Sequence, residues 1–132
     1  MYTLITDGAY SPMRNQGGVG IIILDDEGYE VLEYSKTFKN TTSQQMELMA
    51  CIIGLESISE PEEINVITDS SYLIGCASLG WQRRKNVELW DRYDKIAKFH
   101  KSIHFNWTKG HADHKYNNRC DKLAVTASQK KL

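Results

Sequence analysis

The chain has 132 residues and a mass of 15.1 kDa, room for one compact domain of the usual ~100–150 residues and not for two. Apolar residues make up 41% and charged residues 25%, a composition that excludes a disordered or fibrous chain. Sixteen Lys and Arg against seventeen Asp and Glu leave a formal charge of −1, which by itself speaks against a nucleic-acid binder.

That mean conceals two opposite halves. Residues 1–80 carry three basic and twelve acidic side chains, a balance of −9, whereas residues 81–132 carry thirteen and five, a balance of +8. Either the basic half faces a polyanion or the two halves neutralise each other. Cys51, Cys76 and Cys120 are odd in number and have no paired spacing, and no apolar run approaches the ~20 residues needed to span a bilayer. The N-terminus has no basic stretch followed by an apolar run. A cytoplasmic, reducing location, no membrane association and free thiols buried as small apolar groups are therefore expected.

In chain order, Tyr2 to Asp7 reads as a strand ended by Asp7-Gly8, and Ser11 to Gly18 reads as a turn-rich stretch. Val19 to Leu24 is apolar enough for a central strand, and Asp25-Asp26-Glu27-Gly28 forms a hairpin turn into a third strand over Tyr29 to Phe38. The period then becomes helical. Met46, Met49, Ala50, Ile53 and Ser57 share a face, Thr42 and Gln45 have capping-box spacing, and Pro61 lies beyond the helix end. Glu63 to Thr68 is a short buried-type strand, Ser70 to Leu79 a helix, and Asn86 caps a further helix through Trp90, Tyr93, Ile96 and Ala97. Ser102 to Thr108 alternates as a strand, Lys109 to Lys115 is a loop, and Asn117 to about Gln129 is the last helix. The order βββαβααβα predicts an α/β domain over residues 1–132, with a mixed sheet covered by helices.

Asp7 and Asp69 each follow a predicted strand. Were those strands parallel neighbours, both carboxylates would meet at the edge where α/β sheets bind ligands. Taken singly, each reads more readily as a turn or cap residue. Glu47 stands in the first turns of an otherwise apolar helix and Asp121 in the last helix, where an acidic residue near a helix N-terminus also gains from the dipole.

Six segments appear in order: Thr6-Asp7-Gly8, Met46-Glu47-Leu48-Met49-Ala50, Thr68-Asp69-Ser70-Ser71-Tyr72, Asn86-Val87-Glu88-Leu89-Trp90, Lys109-Gly110-His111-Ala112 and Asn117-Asn118-Arg119-Cys120-Asp121. Together they closely resemble type 1 ribonuclease H over nearly the whole chain. The resemblance implies the ribonuclease H-like fold, with a five-stranded mixed sheet whose first three strands form an antiparallel meander. It implies an endonuclease that hydrolyses the RNA strand of RNA·DNA hybrids by a two-metal-ion mechanism, leaving 5′-phosphate and 3′-hydroxyl ends. Asp7, Glu47, Asp69 and Asp121 would be the metal ligands. Clustered carboxylates need cations, and two Mg²⁺ ions, or Mn²⁺ in their place, suit hard oxygen donors. His111 matches the loop histidine that assists proton movement or product release. His111, His114 and Cys120 also offer a rival zinc set that lacks a fourth ligand.

For the substrate, Ser43 and Gln44 match the polar pair that reads 2′-hydroxyls in the minor groove, although Ser43 is equally suited to capping. Thr42 and Asn86 match a phosphate-holding pair. Tyr72 and Trp81 match an aromatic wall along the deoxyribose path, with Trp81 one residue further from the catalytic Asp than the family's tryptophan. Two departures stand out. Ser11-Pro12-Met13-Arg14-Asn15-Gln16-Gly17-Gly18 replaces the family's Gly-Asn-Pro-Gly run and leaves Asn15 as a substitute RNA contact. Only Gly80 to Lys85 joins the central helices, so the basic protrusion of many bacterial members shrinks to Arg83-Arg84-Lys85. A monomer is expected, and the shortened protrusion leaves room for a replication-associated protein that adds hybrid affinity. Two other readings share the fold: a DNA-directed nuclease and a catalytically silent hybrid-binding module.

Overall fold

The computed structural model describes residues 1–108 and 114–132. The elements follow the predicted order: β1 (Tyr2–Ser11), β2 (Gln16–Leu24), β3 (Glu30–Lys39), α1 (Ser43–Glu56), β4 (Glu63–Thr68), α2 (Ser71–Ser78), α3 (Val87–Phe99), β5 (Ser102–Trp107) and α4 (Lys115–Ser128). The five strands form one mixed sheet in the order β3-β2-β1-β4-β5, with β1, β2 and β3 antiparallel and β4 parallel to both β1 and β5. The expected fold class therefore holds.

Side-chain alternation along β1 distributes the helices between the two faces. Leu4 joins the larger core with Val19, Ile21, Ile23 and the buried side of α1, to which Trp90 and Tyr93 of α3 add a second layer. Ile5 points the other way, onto Ile22 and Cys120 of α4. Helix α1 is more deeply enclosed than a single apolar stripe predicts. Leu48, Cys51, Ile52 and Leu55 are fully buried alongside Met46 and Ala50, because α3 covers a flank that the sheet does not. Cys51, Cys76 and Cys120 are free and buried, as expected. Among the described residues no helix is long and apolar enough to cross a membrane.

Three boundaries differ from the sequence reading, each for a packing reason. β1 does not stop at Asp7 but runs to Ser11, and the turn shrinks to residues 12–15, so Gly17 and Gly18 lie inside β2. These glycines mark close packing of helices: a Cβ on Gly18 would stand 2.2 Å from the Ala124 carbonyl oxygen, and one on Gly20 would stand 2.2 Å from that of Cys120. α4 starts two residues earlier than Asn117, because His114 Nδ1 accepts the Asn117 amide as an N-cap at 3.1 Å. Asn86 does precede α3, but in the left-handed region (φ 60°) and without a side-chain cap.

His100, which carried no signal in the sequence, is buried and ties three elements together. Its Nδ1 accepts the Glu62 amide at 3.3 Å, so Nε2 carries the proton donated to the Leu55 carbonyl at 2.8 Å.

The α4 contact generates a stability prediction. Gly18→Val drives carbon into the helix backbone, which cannot rotate away as a side chain can, and is expected to cost about 1–3 kcal/mol or more in urea unfolding. A loss under about 0.5 kcal/mol would show that α4 yields freely.

Candidate active site

The parallel pairing of β1 with β4 aligns Tyr2 with Ile64 and Ile5 with Ile67. Carried two places further, that register sets Asp7 opposite Asp69, the residue immediately after β4. Beyond Ile5, β1 pairs among the described residues only with β2, which leaves its other edge unpaired by them where β4 ends. Asp7 is thus a mid-strand residue rather than a strand-end one, yet it occupies the mouth that the parallel topology creates.

Glu47 arrives from α1. A Cβ on Gly8 would lie 2.5 Å from the Glu47 amide nitrogen and from the Met46 carbonyl carbon. Only glycine at this position lets the first turns of α1 press onto β1 beside Asp7. The Gly8 amide donates to Asp7 Oδ1 at 2.9 Å. As a result, Asp7, Glu47 and Asp69 bring carboxylate oxygens within 4.8 Å of one another. Asp121, exposed on α4, stands beside them, and its charge acts on both Asp7 and Asp69. All four carboxylates singled out in the sequence converge, three of them tightly.

Burial and mutual repulsion make this cluster hold protons. Desolvation, reinforced by Asp69 and Asp121, pushes Asp7 up to about 8. Desolvation, reinforced by Asp7 and Asp69, pushes Glu47 up to about 9. Desolvation also raises Asp69. Meanwhile Glu47 Oε1 is buried without a hydrogen-bond partner among the described residues. An orphaned carboxylate oxygen facing two other carboxylates is a donor set for a hard divalent cation.

The two described members of the rival zinc set, His114 and Cys120, are otherwise engaged. Cys120 is fully buried with its thiol on the Ile5 carbonyl, and His114 Nδ1 is occupied as a cap. His111 and Lys109 lie outside the described residues.

The residues matched to substrate contact fall into three groups. Thr42, Ser43 and Gln44 are exposed at the start of α1, within five residues of Glu47. Thr42 is the N-cap, accepting the Gln45 amide at 3.1 Å. Ser43 is therefore the first helical residue rather than the cap. No hydrogen bond engages its side chain or that of Gln44 among the described residues. The second group is a polar chain that the sequence reading missed, centred on Gln45. Instead of closing the capping box, the Gln45 side-chain amide receives the Thr41 hydroxyl at 2.9 Å and donates to Asn86 Oδ1 at 3.1 Å. Asn86 donates in turn to the Tyr72 hydroxyl at 2.9 Å, which also receives the Trp90 indole N–H at 3.0 Å. Thr42 and Asn86, distant in sequence, are thereby joined through one residue. The capping-box spacing of Gln45 was the available signal, read for the wrong partner.

The third group is more isolated. Trp81 is half exposed and rests on α2, where a Cβ on Gly75 would meet its ring at 2.1 Å. Asn15, in the left-handed region at the β1–β2 turn, has its amide engaged by Tyr10 at 2.9 Å and by Asn40 at 3.1 Å. Of the shortened protrusion, Arg83 is a half-buried brace, paired with Asp94 at 2.7 Å and stacked 4.4 Å over Trp90.

This geometry agrees with what related sequences show. The family model described as RNase H matches residues 1–129. A protein named Ribonuclease H from Desulforamulus reducens is 39% identical, with 96% of this chain and 87% of that one covered. Ribonuclease H from Lachnoclostridium phytofermentans is 40% identical over 96% and 90% of the two chains. Ribonuclease HI from Synechocystis sp. is 37% identical over 96% and 87%. With the family's sheet order and its acidic cluster both in place, the chain belongs to the ribonuclease H family of enzymes.

Proposed function

We propose that this protein hydrolyses the RNA strand of RNA·DNA hybrids, leaving 5′-phosphate and 3′-hydroxyl ends, with Asp7, Glu47, Asp69 and Asp121 holding two Mg²⁺ ions. The observation that carries the reading is the acidic cluster itself: three carboxylates within 4.8 Å, one with an orphaned buried oxygen, at the open end of parallel strands. A module that only bound hybrid would gain nothing from concentrating negative charge where a polyanion must dock. Bound there, the ions would supply a nucleophilic water and charge compensation at the leaving 3′ oxygen.

The rest of the work falls to the chain. Asp7 and Glu47 set the donor geometry, since β1 and Gly8 fix one and α1 the other. Ser43 and Gln44, exposed and unengaged, are placed to donate to and accept from 2′-hydroxyls across a shallow minor groove. The Thr42 hydroxyl proton remains available to a phosphate while its oxygen caps the helix. Gln45 keeps Asn86 in register with Thr42, and Tyr72 anchors Asn86 from the other side. The specificity for hybrid over DNA duplex rests on these polar groups rather than on the carboxylates, which any phosphodiester would satisfy.

Two predictions follow from this site. Asp69→Asn should reduce hybrid cleavage under saturating Mg²⁺ to less than about a tenth of wild type, with an unchanged circular dichroism spectrum. Retained cleavage would sink the two-ion assignment. On one gel, the wild type should cut only the RNA of an end-labelled hybrid, sparing RNA duplex, DNA duplex and single strands, and EDTA should stop it. Cleavage of DNA duplex would favour the DNA-directed reading.

The raised carboxylates set the pH dependence. In the unfolded chain Asp7 and Glu47 lose their protons near 3.8 and 4.5, but in the fold they keep them up to about 8 and about 9. Between those limits the folded state binds more protons, so stability without metal falls as pH rises. In EDTA the thermal midpoint should therefore decline from about pH 5 to about pH 9, and Asp7→Asn should flatten that slope. Mg²⁺ should restore more stability at the alkaline end than at the acid end. A flat EDTA profile for the wild type would contradict the burial of these groups.

A further inference from the structure

The loss of the basic protrusion leaves open where the chain grips a polyanion, and Arg83 does not answer it, because its charge is spent on Asp94. Most other arginines are similarly committed: Arg92 pairs with Glu56 at 2.5 Å, and Arg119 with Glu30 at 2.6 Å and with Glu33. Arg14 is an exception. It is exposed on the β1–β2 turn and forms no ion pair among the described residues.

Three chain segments meet around it, and none contains a carboxylate side chain. Residues 8–24, 34–46 and 122–132 contribute Arg14, Lys36, Lys39, Lys122, Lys130 and Lys131, with no Asp or Glu among them. The first two segments belong to the half of the chain whose balance is −9, yet its acidic residues flank these segments and none lies within them. The contacts that join the segments are specific. Asn15 donates to Asn40 at 3.1 Å, Gln16 Nε2 donates to the carbonyls of Ser128 at 3.1 Å and Lys130 at 2.5 Å, and Thr37 donates to the Ala127 carbonyl at 2.7 Å. Between the turn and the end of β3 they leave a groove lined by Arg14 and Lys39, by Asn15, Gln16 and Asn40, and by the apolar Met13 and Leu132. None of those lysines forms an ion pair among the described residues.

The groove lies on the same end of the molecule as the carboxylates. Asn40 leads through Thr41 into the cap of the helix that carries Glu47, and Ser11 is four residues beyond Asp7 on β1. At ~3.3 Å per strand residue that separation is about 13 Å, or roughly four base steps at ~3.4 Å each.

We propose that this groove is a metal-independent phosphate clamp, in which Arg14 and Lys39 hold the backbone of the hybrid about four base steps from the cut and do the work of the missing protrusion. The inference rests on the hybrid-cleavage reading and deepens it. Backbone phosphate is the occupant that fits a surface lined by two cations and neutral amide residues, with no Asp or Glu side chain among them.

The test compares wild type, the double variant Arg14→Gln/Lys39→Gln and the control Lys101→Gln, whose site lies at the opposite end of the sheet, before β5. Each is assayed in Mg²⁺ on a hybrid of about 20 base pairs, which reaches the groove, and on one of about 6 base pairs whose single cleavable ribonucleotide linkage lies at its centre, so that only about three ~3.4 Å steps run to either end and fall short of it. On the long hybrid, the double variant should show a KM raised at least about fivefold at low salt with kcat unchanged. Its plot of log(kcat/KM) against log[salt] should be shallower by about 1.8, or ~0.9 for each lost phosphate contact. On the short hybrid, and for Lys101→Gln on both, wild-type values are expected. An unchanged salt slope on the long hybrid would overturn the clamp while leaving cleavage intact. Equal losses on long and short hybrids would overturn it too, by showing an effect on the active site or the fold. Failure of the wild type to cut either hybrid would instead overturn the cleavage reading on which the clamp depends.

Discussion

Carboxylates confined where water is scarce repel one another and keep their protons, and the packing around Asp7, Glu47 and Asp69 is arranged to hold them together against that repulsion. Backbone register does most of the confining. Asp7 is locked in β1 by pairing on the β2 side, Asp69 is delivered by the parallel β1–β4 alignment, and Glu47 is held down by a helix that reaches the sheet only because Gly8 has no side chain. A site that costs stability when empty and repays it on binding a cation is a preorganised site: the strain sits in the apo protein, so little rearrangement is left for the moment of binding.

The same economy governs the polar side chains nearby. Asn86 adopts left-handed backbone geometry and makes no cap bond, because its amide is committed to Gln45 on one side and Tyr72 on the other. Trp90 is buried in the larger core, and its indole N–H ends on the same tyrosine hydroxyl. A continuous run of hydrogen bonds therefore connects the start of α1, which carries Glu47, to the start of α3. Buried polar groups joined in this way specify one arrangement of the helices over the sheet, since any slippage would leave several of them unsatisfied at once.

Charge follows a comparable division. Arg92 of α3 and Arg119 of α4 pair with carboxylates and serve the fold. At the β1–β2 turn and the end of β3, Arg14 and Lys39 form no ion pair among the described residues. The near-zero net charge thus says little about binding, because an enzyme acting on a polyanion needs negative charge at the metal site and positive charge beside it, and the two cancel in the sum.

How much of this was legible beforehand depends on how local each cause is. The hydrophobic period along α1, the β-branched run of β4 and the turn residues at Asp25 to Gly28 act over a few neighbours, so element order and type were readable from them. The acidic residues were legible as a set through the motifs around Asp7, Glu47, Asp69 and Asp121. Their mutual distances were not, because these depend on strand register and on a glycine whose role appears only when a helix lies on top of it. Gly17 and Gly18 read as turn formers in a linear chain and prove to be strand residues under the helices. Gln45 read as a capping partner, and His100 read as nothing at all. In each case the side chain's partner lies tens of residues away, and no local preference encodes a contact whose other half is set by the packing of the whole sheet. By itself the sequence determined which residues carry the chemistry. Only the tertiary structure decided which of them meet, how strongly burial perturbs them, and which cations are left free to face a substrate, because proximity and desolvation are properties of the assembled chain.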